Sequence, residues 1–218
     1  MFGPMKGKNL LPWVFLLVFA VSRIPGLLPQ NFSAAYALFF CAGVYWSGRA
    51  AWWIPLATII GTDLLLDFYY LHRGCSVFEL PMLKQQVFNY AAYAVLVWLG
   101  RRFKPQSSFV SLLGGGVLGA VLFYLITNTA AWLFNPFGNP EYTKDFLGWL
   151  TALTNGTHGW PKTLEFFRNT LLGGGLFTGL FVGAAKLTEA AESAKEKETE
   201  EEAEEEPEGE VSPEPKEA

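Results

Sequence analysis

The run from Phe109 to Phe134 constrains this chain more than any other feature. Its 26 residues include no Lys, Arg, Asp or Glu, and about 20 mostly apolar residues suffice for a helix to cross a bilayer. The run is continuous rather than alternating, which points to a helix and away from a barrel strand. A helix also satisfies its backbone groups internally, as lipid demands. Five further apolar runs lie near residues 10–22, 34–47, 50–71, 87–100 and 163–187. The first, second and fourth are short, and the sixth is long enough without help. The expected fold class is therefore all-α: a polytopic six-helix transmembrane bundle formed by residues 1–188.

Composition supports that reading. Hydrophobic residues make up 51% of the 218, and eight Trp and 19 Phe need more apolar surroundings than one water-facing domain offers. The charges divide unevenly. Residues 189–218 carry 14 Glu and three Lys, leaving six acidic and 13 basic residues before them. An apolar, mildly basic body joined to an acidic tail excludes a conventional soluble enzyme. The tail, with Pro207, Pro213 and Pro215, is expected to be disordered and solvated. It lacks the Lys/Arg-rich patches that nucleic acid requires.

Lys and Arg set the expected orientation. Lys6, Lys8, Arg49, Arg101, Arg102, Lys104 and Lys186 fall on one side if both termini are cytoplasmic. Arg23, Arg73, Lys84, Lys144, Lys162 and Arg168 fall on the other, mixed with most of the body's acids. The bias favours an N-in, C-in protein of the bacterial inner membrane. A competing reading of the first run is a signal peptide, from Lys6 and Lys8, a 13-residue apolar stretch and the small pair Ala20 and Ser22. Pro12 and the absence of a mature soluble domain favour its retention.

The polar residues inside the runs are the functional signal. Asp63 and Asp67 lie one turn apart on a shared face of the third run. Asn128 lies one turn inside Trp132 on the fifth, and Arg168 and Asn169 stand near the start of the sixth. With Arg23, Asn31 and Asn89, all of them fall in the outer half. Charges in hydrocarbon cost several kcal/mol unless paired or hydrated. Two readings follow: a structural pair such as Arg168 with Asp63 or Asp67, or a polar cavity open to the outside. Aromatic residues at the same level (Tyr69, Tyr70, Trp132, Trp149 and Trp160) suit the second, because ligand pockets combine apolar walls with few convergent polar groups. Gly115 and Gly119, and Gly175, Gly179 and Gly183, form small-xxx-small series for close helix packing.

Catalytic signals are thin. Two His and two Cys form no metal-ligand spacing. There is no Gly-x-Ser-x-Gly elbow, and the glycine runs lack the Gly-Lys-Ser/Thr of a P-loop. No enzyme activity, cofactor or metal is expected.

Several segments are similar to a family of uncharacterised bacterial membrane transport proteins, itself related to the substrate-binding S components of energy-coupling factor (ECF) transporters. They are Arg23-Ile24-Pro25 with Asn31-Phe32-Ser33 and Ala37-Leu38-Phe39, Thr127-Asn128-Thr129-Ala130-Ala131-Trp132-Leu133, and Phe166-Phe167-Arg168-Asn169-Thr170-Leu171-Leu172-Gly173. The resemblance covers roughly residues 20–183. It departs at Gly173-Gly174, where many members have Gly-Asp, and in the loop from Thr154 to Lys162, which is longer. The Ala-x-x-x-Ala surface by which S components dock their coupling subunit is missing from the first run. The resemblance implies a six-helix subunit that captures a vitamin or metal ion on the outer side and topples when engaged by an ATP-driven partner. On that basis Asn128, Trp132, Arg168 and Asn169, then Asp63 and Asp67, are the expected substrate-binding residues. Arg168 would receive a carboxylate or phosphate, the two asparagines would orient the ligand, and Trp132 would stack on a ring. The expected partners are a small micronutrient, the bilayer, and an ECF-type ATPase with its transmembrane coupling module. An assembly protein, a stand-alone carrier and a membrane enzyme are the alternatives.

Overall fold

The computed structural model describes residues 10–205, and side chains through Thr199. Seven helices are present among the described residues, with no strand. They are α1 (Leu11–Ser22), α2 (Ala35–Tyr45), α3 (Ala50–His72), α4 (Leu80–Gly100), α5 (Phe109–Phe134), α6 (Phe146–Leu153) and α7 (Thr163–Glu205). Three of them, α3, α5 and α7, are long and apolar enough to cross a membrane.

The centre of the bundle is α2. Every residue from Ala35 to Val44 is buried, as expected of a helix that is hydrophobic all round, and α1, α3, α4, α5 and α7 all pack on it. Aromatic side chains fill the space between. Phe39 stacks on Tyr93 with centroids 4.4 Å apart, Tyr93 lies 4.6 Å from Phe123, and Tyr36 meets Phe123 edge-on at 5.0 Å. Phe15 of α1 stacks on Phe181 of α7 at 4.0 Å.

Glycines set the closest helix approaches, and only part of the predicted series is among them: a Cβ on Gly115 would lie 2.6 Å from the Phe40 ring of α2, while Gly119 has ordinary contacts from 3.4 Å. A Cβ on Gly43 of α2 would lie 2.2 Å from the Val97 carbonyl oxygen of α4, and one on Gly100 would lie 2.2 Å from that of Phe40. Between α5 and α7 the tight contacts are Gly116 against Thr178 and Gly174 against Ala120. Gly175, Gly179 and Gly183 also face α5, but at ordinary contact distances of 3.6–4.0 Å.

Three boundaries differ from the sequence expectation. Helix α4 begins at Leu80 instead of 87, with Pro81 in its first turn, a position where the missing N–H is no loss. The added turns carry Lys84, Gln85 and Gln86, too polar for an apolar-run criterion. The short helix α6 was not expected. Its N-cap is Asp145, whose carboxylate accepts from Gly148 N at 2.7 Å. The third difference is a correction: residues 189–205, expected to be disordered, continue α7 as helix. Ala, Glu and Lys are strong helix formers, and the preceding span supplies the nucleus that a free peptide would have to form at a cost. The rest of the expected tail, 206–218, lies outside the described residues.

Candidate functional site: a polar cleft where the helix ends meet

The C-terminal ends of α1, α3 and α5 and the N-terminal ends of α2 and α4 meet around a cavity of about 450 Å³. Its floor is aromatic, from Tyr36, Tyr93 and Phe123, and its walls are polar, notably Arg23, Asn31, Gln85, Asn89 and Asn128. The turn between α1 and α2 roofs it. Asn31 holds that turn in the left-handed region, with φ 62°, and the Tyr36 hydroxyl donates to its carbonyl at 3.1 Å. A second cavity of about 400 Å³ lies between α4, α5 and the segment leading into α7, beside Tyr142, Trp160 and Phe166. Gln85, Asn128 and Ala131 line both cavities, so the two are compartments of one cleft with a shared wall.

Beside the first cavity stands a hydrogen-bonded hub. The Arg23 guanidinium donates to one oxygen of Asp63, and Gln86 and Tyr90 donate to the other, Tyr90 at 2.9 Å. Asp63 thereby ties the end of α1 and the start of α4 to the otherwise sparsely packed C-terminal half of α3. Sequence reasoning offered Arg168 as its partner. The structure gives Asp63 to Arg23, because the C-terminus of α1 abuts α3 and the start of α7 does not. Asp67, one turn further, interacts electrostatically with Arg23.

The six expected site residues separate into distinct places. Asn128 is in the cleft, its Nδ2 donating to Tyr124 O at 2.8 Å. Asp63 is the hub, and Asp67 flanks it. Asn169 is a fastener: its Nδ2 donates to Gln30 O at 2.9 Å, holding the roofing turn against α7. Trp132 fastens as well. Its Nε1 donates to Thr143 O at 2.6 Å, while Lys144 Nζ binds the carbonyls of Trp132 and Leu133 at the end of α5. Arg168 is exposed on α7 and lines neither cavity. Sequence reasoning missed Gln85 and Gln86; Pro81 ahead of a polar turn was the signal for an earlier helix start.

Outside the spans, charges serve the loops. The Gly148 N–H and then the Thr143 hydroxyl hold the Asp145 carboxyl below its ordinary range. The His158 N–H does the same for Glu141, at 2.9 Å, and joins the loop after α5 to the segment before α7. Among the described residues no group of three His, Cys, Asp or Glu is placed to hold a metal ion.

Long apolar helices, a lipid-sized span in α5 and a polar cleft at one end of the bundle define a helical membrane protein. The chain belongs to DUF6580, a family of unknown function, whose match covers residues 5–197. No curated protein and no solved structure matches it.

Proposed function

We propose that this protein is a membrane transport subunit of the ECF S-component type, capturing a small, vitamin-like micronutrient in an outward-facing cleft. It crosses the inner membrane six times, with both termini inside, and hands its ligand to an ATP-driven coupling module. The observation that carries the reading is the cleft itself: an aromatic floor with amide and hydroxyl walls at one end of an otherwise apolar bundle. That combination is what small-molecule sites present, and polar groups gathered at membrane depth mark substrate paths. The sequence resemblance to S components supports the same class.

The test is a thermal-shift screen of the purified full chain against vitamins and their precursors, with Asn128→Leu and Arg168→Ala beside it. A ligand that prefers the folded state raises the melting temperature. The expected hit is lost in Asn128→Leu and kept in Arg168→Ala, since Arg168 lies outside the cleft. A properly folded protein that responds to no small molecule would overturn the capture reading.

A further inference from the structure

The hub imposes a direction on the amides beside it. Paired with Arg23, Asp63 is an acceptor only, so Gln86 must turn its Nε2 toward it. That leaves Gln86 Oε1 to accept from Asn89 Nδ2, at 3.3 Å. Asn89 Oδ1 then accepts from Gln85 Nε2, at 3.4 Å. The chain ends on Gln85 Oε1, a buried oxygen without a hydrogen-bond partner, on a residue that lines both cavities and whose side chain must turn for that oxygen to meet a ligand. Reversing any link would set two donors or two acceptors against each other, so the order follows from Asp63 alone. Asn128, in the same wall, spends its Nδ2 on Tyr124 O and so also offers an oxygen. Arg23 also lines the first cavity and keeps one buried donor, Nε, without a partner, but Asp63 and Asp67 offset its charge.

We propose that this wall is an amino-group site. The ligand is a small molecule carrying an NH2 or NH3⁺ group, as an amine or on a ring, which donates to Gln85 Oε1 and Asn128 Oδ1. This deepens the capture reading and rests on it. It also reverses the sequence-level expectation of a carboxylate or phosphate held by Arg168. A buried acceptor without a partner costs free energy that an incoming N–H recovers, and a site built to hydrogen-bond such a group rejects analogues lacking it.

The experiment measures thermal shifts of the full chain across matched compounds: 4-aminopyrimidine against pyrimidine, and benzylamine against benzyl alcohol and benzoate. The amino compounds are expected to act at concentrations at least tenfold lower than their partners, with benzoate inert. Gln85→Leu should abolish the preference. Asn89→Leu cuts the amide chain without touching Asp63, so Gln85 is free to turn and the preference should fall severalfold while binding persists. Equal or stronger responses to benzyl alcohol or benzoate overturn the amino-group assignment and leave capture standing. A preference unchanged in folded Asn89→Leu overturns the directional argument. No response to any of these compounds, alongside a positive vitamin screen, also defeats the amino-group assignment. Silence in both screens defeats capture itself.

Discussion

Asp63 shows how much one carboxylate can organise inside an apolar bundle. Its side chain is 13% exposed and that of Arg23 is 22% exposed, so each charge depends on the other. Breaking such a pair by removing one partner costs on the order of 3 kcal/mol, whereas replacing both with apolar groups can be nearly neutral. Asp63→Leu should therefore destabilise strongly, and Arg23→Met with Asp63→Leu should recover most of the loss. A double-mutant cycle on unfolding measures the difference, and additive costs would sink the claim. Asp145 titrates outside the spans. Its folded pKa is depressed, so its contribution is full above the ordinary value of 3.8 and fades as pH falls through the lower, folded value. Hydrogen exchange should find α6 equally protected at pH 7 and pH 5 and frayed near pH 3. Asp145→Asn keeps a good N-cap and should remove that pH dependence. At this scale the sequence was partly legible. It singled out Asp63, Asp67 and Asn128, because polar residues in apolar runs stand out. It did not show the partners, which come from helices 40 and 23 residues away.

Helices were more legible than their contacts. Unbroken apolar runs located α1, α2, α3, α5 and the start of α7 to within a few residues, since hydropathy and length act locally. The boundaries that slipped were the ones set by other forces: a polar first turn in α4, a capped eight-residue α6, and helix propensity carrying α7 to Glu205. Spacing singled out Gly115, which is tight against Phe40, but not the difference between it and Gly179, because spacing gives a face and not what meets it. Gly43→Ala pushes a methyl into a backbone oxygen that cannot rotate away, and overpacking of this kind costs about 1–3 kcal/mol. Gly179→Ala meets only ordinary contacts and gains up to about 1 kcal/mol of helix propensity. Thermal unfolding in detergent should thus rank Gly43→Ala below wild type and Gly179→Ala at or above it; the opposite order would contradict the packing described.

The whole molecule carries its own topology probe. Its two cysteines lie apart, Cys41 buried in α2 and Cys75 exposed between α3 and α4. With six spans and both termini inside, the loop with Cys75 faces outward. A membrane-impermeant maleimide applied to intact cells should label the protein at Cys75 alone. Labelling only after lysis would invert the proposed orientation. The division into an apolar body and an acidic end was plain from charge. The lining of the cleft was not, since it is assembled from five helices and a turn: Arg168, expected there as a charge near the start of the sixth run and from the resemblance, lies exposed on α7 and lines neither cavity.

The burial of α2 also bears on how the chain is made. Eleven residues rise about 17 Å, well short of the roughly 30 Å of hydrocarbon, and protein surrounds nearly all of them. Lipid alone is thus a poor host for this helix, which is synthesised before the helices α3, α4, α5 and α7 that pack on it. Its enclosure awaits α7, which leaves the ribosome after the other described helices and whose Thr170 and Gly173 close against Tyr36 and Ser33. Until then every nascent copy exposes its own centre, and quality-control proteases would meet any chain cut short before residue 163 in that state.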